Sequence, residues 1–209
     1  MLANSVAHEY ARLQRACAGK ADELKLLCCA SVLPPVVRKG VLPLPAGQVA
    51  SGFDLQKAAA YLPAMHQMPV YCAPDVVAAD VGAHPVLPQA ALRDRDYGLW
   101  AGQDLRERTP AEQLSLLSDV AFAPPEGESF AACYQRVALW LDGISRSGPV
   151  AVVLARPAVV RNMLLRVLYQ GEGAINMAQA ARVDVMPNSY SLLTHHAGQW
   201  RLGMLAAPA

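Results

Sequence analysis

Short apolar runs along the chain alternate with longer segments in which apolar residues recur every three or four positions. Leu24–Cys29, Met68–Cys72 and Val150–Leu154 are runs of the first kind. Val150–Leu154 has no polar alternation at all, which predicts a central parallel strand covered on both faces. Helical spacing predicts a first helix over Val6–Cys17, from Val6, Tyr10, Leu13 and Cys17. Asp54 can cap a second helix running to Tyr61. Thr109-Pro110-Ala111-Glu112 is a capping box with proline at the first helical position, so a helix follows through Leu117. Ser129 opens a strongly periodic helix to about Ile144, with Phe130, Cys133, Val137, Trp140 and Leu141 on one face. Another helix is expected over Val159–Tyr169.

Weaker signals predict a helix around Asp75–Gly82 and a short strand at Ala91–Asp94. The tail alternates through Arg182–Met186 and Tyr190–Thr194, turns at Ala197-Gly198 and returns through Trp200–Leu205, which predicts a closing hairpin. Interleaved strands and helices of this kind make an α/β protein: a three-layer α/β/α sandwich around a mostly parallel sheet, with a C-terminal hairpin. One domain over residues 21–209, preceded by a helical extension over residues 1–20, accounts for the whole pattern.

A hydrophobic content of 54% in 209 residues is enough to close one sizeable core. Eighteen Lys and Arg against seventeen Asp and Glu give a net charge of +1 with no basic stripe. That balance argues against nucleic acid or an anionic membrane as partner. The apolar stretches are too short or too interrupted to span a bilayer, and the first twenty residues predict no secretion signal. Five cysteines without a C-x-x-C pair predict reduced thiols and a cytoplasmic location. No metal-ligand spacing or cofactor motif stands out, and neither a metal nor a cofactor is expected.

Three ordered motifs resemble the histidine phosphatase (phosphoglycerate mutase-like) superfamily. Leu92-Arg93-Asp94-Arg95-Asp96-Tyr97-Gly98-Leu99-Trp100-Ala101-Gly102 is similar to the segment L-x-[ED]-x-x-x-G-x-W-x-G, whose acid would here be Asp94. Pro125-Glu126-Gly127-Glu128-Ser129 is similar to P-x-G-E-S, and the stretch to Arg161 is similar to V-x-H-x-x-x-x-R. The resemblance covers Leu24 to the C-terminus and implies that superfamily's fold. It also implies that the catalytic positions have changed. The strand that should end in R-H-G ends Leu27-Cys28-Cys29-Ala30, so Cys29 replaces the nucleophilic histidine. Arg156 replaces the second histidine, and Val77 replaces the phosphate-binding arginine of S-P-x-x-R, which reads here from Ala73-Pro74-Asp75.

These replacements lead to a protein that does not act as a phosphatase and instead binds an anionic small molecule or a protein partner. Arg156, with Arg38 and Cys72, is the candidate ligand-binding set, since arginine offers carboxylates and phosphates a bidentate fork. The alternative is a diverged hydrolase or transferase with Cys29 as nucleophile and Asp94 as acid. A homodimer built on the N-terminal helix or the hairpin edge is a third expectation. Cys28 and Cys29 also fit as small apolar fillers at a strand end, and Arg156 as a salt-bridged arginine at a helix start. Tyr97 and Trp100 fit either a pocket lining or the core. Arg161 is expected to be structural and the histidines solvated, although the neighbouring imidazoles of His195-His196 at the hairpin turn could also bind a metal.

Overall fold

A computed structural model describes residues 23–44, 49–62, 68–144, 150–170 and 174–208. The predicted helix over residues 6–17, with Cys17 and His8, lies outside these, as does His66. The strands are β1 (Glu23–Ala30), β2 (Val49–Ala50), β3 (Val70–Cys72), β4 (Val76–Val77), β5 (Val86–Pro88), β6 (Val150–Ala155), β7 (Ser189–His196) and β8 (Gln199–Pro208). The helices are α1 (Pro35–Arg38), α2 (Leu55–Ala59), α3 (Pro110–Ser118), α4 (Phe130–Ile144), α5 (Pro157–Leu168) and α6 (Met177–Ala180).

Six strands form one sheet in the order β5-β3-β6-β1-β7-β8. The first four are mutually parallel, β7 runs antiparallel to β1, and β8 runs antiparallel to β7 at the sheet edge. Every residue from Ala151 to Ala155 is buried, so both faces of the central strand β6 are covered, as its unbroken apolar run requires. The fold is therefore α/β with a mostly parallel central sheet, and the hairpin closes it. The Ala197-Gly198 turn joins His196 to its partner Gln199 with positive φ at both residues (49° and 77°), the turn geometry that matches strand twist.

Three local expectations are corrected. Residues 182–186 form no strand, although Val183 and Val185 are buried in alternation; the chain there follows α6, which a capping box of Asn176 and Gln179 opens. Ala91–Asp94 forms no strand either. Ala90–Leu92 is a 3-10 turn, and the Ala91 and Arg93 carbonyls accept from Arg136 Nη1 rather than from a neighbouring strand. In place of a helix at Asp75–Gly82, Val76–Val77 pairs in parallel with Val49–Ala50, which suits two consecutive β-branched residues after a proline.

Two of the quoted motifs lock together through their backbones. Gly98 has a φ of +51°, and a Cβ there would lie 2.1 Å from the Pro125 carbonyl oxygen; one at Gly127 would lie 2.9 Å from that of Asp96. Leu99 N–H donates to Pro125 O, Glu128 N–H to Asp96 O, and Arg95 Nε to Glu128 O. Gly98→Ala should therefore lower stability by about 3 kcal/mol. Gly143→Ala, in α4 with nothing within 4 Å of the new methyl, should raise it by roughly 0.5 kcal/mol. Urea denaturation midpoints of the two variants check both signs.

Candidate functional site

Parallel register brings the ends of three strands into line. Cys29 of β1 and Cys72 of β3 both pair with Leu154 of β6, which places the two cysteines on either side of that strand, about 10 Å apart. Two residues further on, Arg156 is the N-cap of α5, with Pro157 at the first helical position. This is the carboxyl edge of the parallel sheet, where open α/β folds place their ligands.

Arg156 projects into the protein rather than into solvent: its side chain is 2% exposed. Its Nε lies 2.7 Å from Asp75 Oδ2 and 3.8 Å from Asp94 Oδ2, and those two carboxylate side chains are 2% and 9% exposed. The Asp94 N–H donates to the same Asp75 Oδ2 at 3.3 Å, while Asp94 Oδ1 accepts from the Arg95 N–H at 2.8 Å. One guanidinium and two carboxylates thus form a buried cluster. Burial pushes the Asp94 carboxyl up to about 6, against the lowering effects of Arg156 and the Arg95 N–H; the neighbouring Asp75 charge adds to the rise.

A second arginine fixes Asp94 from behind. Arg136, on α4, grips both Glu128 oxygens (3.0 and 2.7 Å) and donates to the backbone carbonyls of Ala91, Arg93 and Asp94. The acid-bearing loop is held by a side chain whose partner belongs to the Pro125–Ser129 motif.

The structure joins Arg156 to Asp94 and gives the other candidates separate surroundings. The Cys29 thiol is buried and donates to Ser51 O at 3.3 Å; burial pushes it up to about 12. Cys72 donates to the Val76 and Ala73 carbonyls and is pushed up to about 11 by burial and by Asp75. Arg38 is exposed at the end of α1, and among the described residues it forms no ion pair. Arg161 stacks over Phe130, and Trp100 packs with Phe122, Leu42 and Leu116 in a small second core beside Tyr97. His195 lies edge-on to Trp200, and among the described residues no three metal-ligating side chains gather.

Asp75 is the site residue that sequence reading passed over. Its signal was available: a carboxylate directly after Ala73-Pro74, at the end of an apolar strand where no solvated residue is needed.

The fold has well-covered structural relatives. It aligns with a mycobacterial glucosyl-3-phosphoglycerate phosphatase at 18% identity and a TM-score of 0.64, over 90% of this chain and 100% of that one. A putative alpha-ribazole-5'-P phosphatase from Escherichia coli aligns at 16% identity and 0.66, over 91% and 99%. YhfR of Bacillus stearothermophilus aligns at 12% identity and 0.70, over 89% and 98%. No curated protein is close enough in sequence to match. The family model described as histidine phosphatase superfamily (branch 1) matches residues 75–207, well over half of the sequence, and the chain belongs to that superfamily.

Proposed function

We propose that this protein does not turn over phosphomonoesters and works by binding, with a protein partner favoured over an anionic small molecule. In this reading Cys29 and Arg156 stand where the superfamily's two catalytic histidines stand, and Cys28 and Val77 stand where two of its arginines do. Phosphoryl transfer is carried mainly by cationic and hydrogen-bonding groups around the phosphate, and loss of a single such donor costs about 10²–10³ in rate. The observation that carries the proposal is the Asp75–Arg156–Asp94 cluster. Its guanidinium already lies against two carboxylates, with which a phosphate would have to compete.

One observation favours the alternative with Cys29 as nucleophile: a carboxyl at about 6 suits a general acid. The thiol opposes it. A group at about 12 supplies almost no thiolate near pH 7, and thiolate is the attacking species. Free, buried cysteines fit a reducing cytoplasm, which we include in the proposal.

Assayed against p-nitrophenyl phosphate and phosphoglycerates, the wild type and Cys29→Ala should both remain at background. Wild-type turnover that disappears in the variant would refute the binding role and establish cysteine chemistry.

The cluster also predicts how stability depends on pH. The folded Asp94 value, about 6, lies above the ordinary 3.8, so between these pH values the folded state binds more protons than the unfolded one. Stability from this group is full below about 4 and is lost as pH rises through 6. Asp94→Asn, which cannot titrate, should gain about 2–3 kcal/mol relative to wild type between pH 4 and pH 7. Urea denaturation of both proteins at the two pH values reads the difference.

A further inference from the structure

Residues 6–17 carry a sequence feature that the described fold has not absorbed: Val6, Tyr10, Leu13 and Cys17 on one face of an expected helix. An isolated helix of that length is marginal in water, so an apolar face of this kind needs a surface to pack on. We propose that this segment is a helix docked on its own chain, in the groove beside α4. The groove has a volume of ≈ 330 Å³ and follows α4 from Ala131 through Tyr134 and Ala138 to Asp142, with Tyr169 and Ile175 also lining it. Those α4 positions recur every three or four residues and form one helical ridge, and Ala131 and Ala138 carry only a methyl, which lets a second helix approach closely. Ala131 to Asp142 and Val6 to Cys17 are both eleven residue steps, about 16 Å of helix. Leu139, 63% exposed, lies on the rim between Gln135 and Asp142.

The connection to the fold reaches the same place. β1 begins at Glu23, and Leu24 pairs with His195, which in turn pairs with Trp200. Gln170, next to Tyr169 of the groove, donates to the Trp200 carbonyl at 2.8 Å. Asp142, ion-paired with Arg166 one turn before Tyr169, is near enough to His195 for its charge to oppose the lowering of that imidazole's pKa by burial and by His196. Trp200 to Leu24 is two strand spacings, about 10 Å, and five residues, 18–22, can span about 17 Å. Cys17 therefore falls at the Asp142 end of the groove and Val6 at the Ala131 end. So short a tether holds the segment at a millimolar or higher effective concentration beside its own groove, which favours that occupant over a second copy or another protein.

Hydrogen–deuterium exchange of the full chain, read by mass spectrometry, tests the docking. In wild type the amides of residues 9–17 should exchange at least about tenfold more slowly than in an unstructured peptide. Leu13→Asp, on the docking face, and Ala131→Arg, in the groove, should each abolish that protection, while protection of β6 confirms that the variants are folded. Leu13→Asp lies outside the packed core and carries the test alone should Ala131→Arg unfold. Arg15→Asp, on the opposite face of the helix, should keep the protection. Sedimentation velocity at low and high protein concentration accompanies each measurement, and protection should not depend on concentration. Unprotected amides in wild type, protection that survives Leu13→Asp or a folded Ala131→Arg, or loss of protection in Arg15→Asp would overturn the proposal. Protection that appears only as a dimer forms would also overturn it, assigning the groove to a second copy.

Discussion

A guanidinium buried at the carboxyl edge of the sheet is the constraint around which the rest of the site is arranged. Arginine stays charged at any accessible pH, so it cannot escape burial by losing its proton as a lysine or histidine can. Its side chain is 2% exposed, and the fold must supply compensating charge within contact distance. Asp75 does so from the β3–β4 turn and Asp94 from the loop before the 3-10 turn at Gly98. The strand register that aligns Cys72 with Leu154 puts the Asp75 turn beside Arg156, so the ion pair follows from β3 lying next to β6. Asp94 needs more help because nothing in its own loop is regular. Arg136 provides it, binding Glu128 and three carbonyls of the loop, and the glycine contact between the two motifs closes the frame.

The motif residues that persist in this chain are those that hold backbone to backbone. Gly98 and Gly127 leave no room for a side chain, Glu128 anchors Arg136, and Trp100 fills the small second core. The positions that the resemblance assigns to phosphate contact are occupied by Cys28, Cys29, Val77 and Arg156. Cys28 is buried against the Met163 sulfur, and Cys29 donates to a loop carbonyl; both behave as small core residues. The contacts that hold the two motifs together thus rest on residues other than the four that the resemblance assigns to phosphate contact.

Much of this was legible from residue pattern. The unbroken apolar run of β6, the capping box of α3 and the periodicity of α4 led directly to elements found within a residue or two of their predicted bounds. The weak segments failed for a common reason. At 91–94 and 182–186, alternation or apolarity reflected burial against side chains, with no neighbouring strand to pair with. At the site, Asp94 and Arg156 were legible because motif spacing marks them, but their contact was not. Asp75 falls at a variable position of the stretch that resembles S-P-x-x-R, and its contact with Arg156 arises only when β3 is laid against β6, a pairing between residues about eighty apart in the chain.

Charge balance ties these residues into one unit. With a single cation in the cluster, each carboxylate is acceptable because the guanidinium is there, and the guanidinium is acceptable because they are. The Asp94 carboxyl at about 6 shows where the balance is weakest: Arg156 lowers it, burial raises it more, and the carboxylate closer to Arg156, Asp75, takes the larger share of the cation. Removing any one of the three would leave the charge of another uncompensated where no side chain of the cluster is more than 9% exposed, so the cluster stands or falls as a unit.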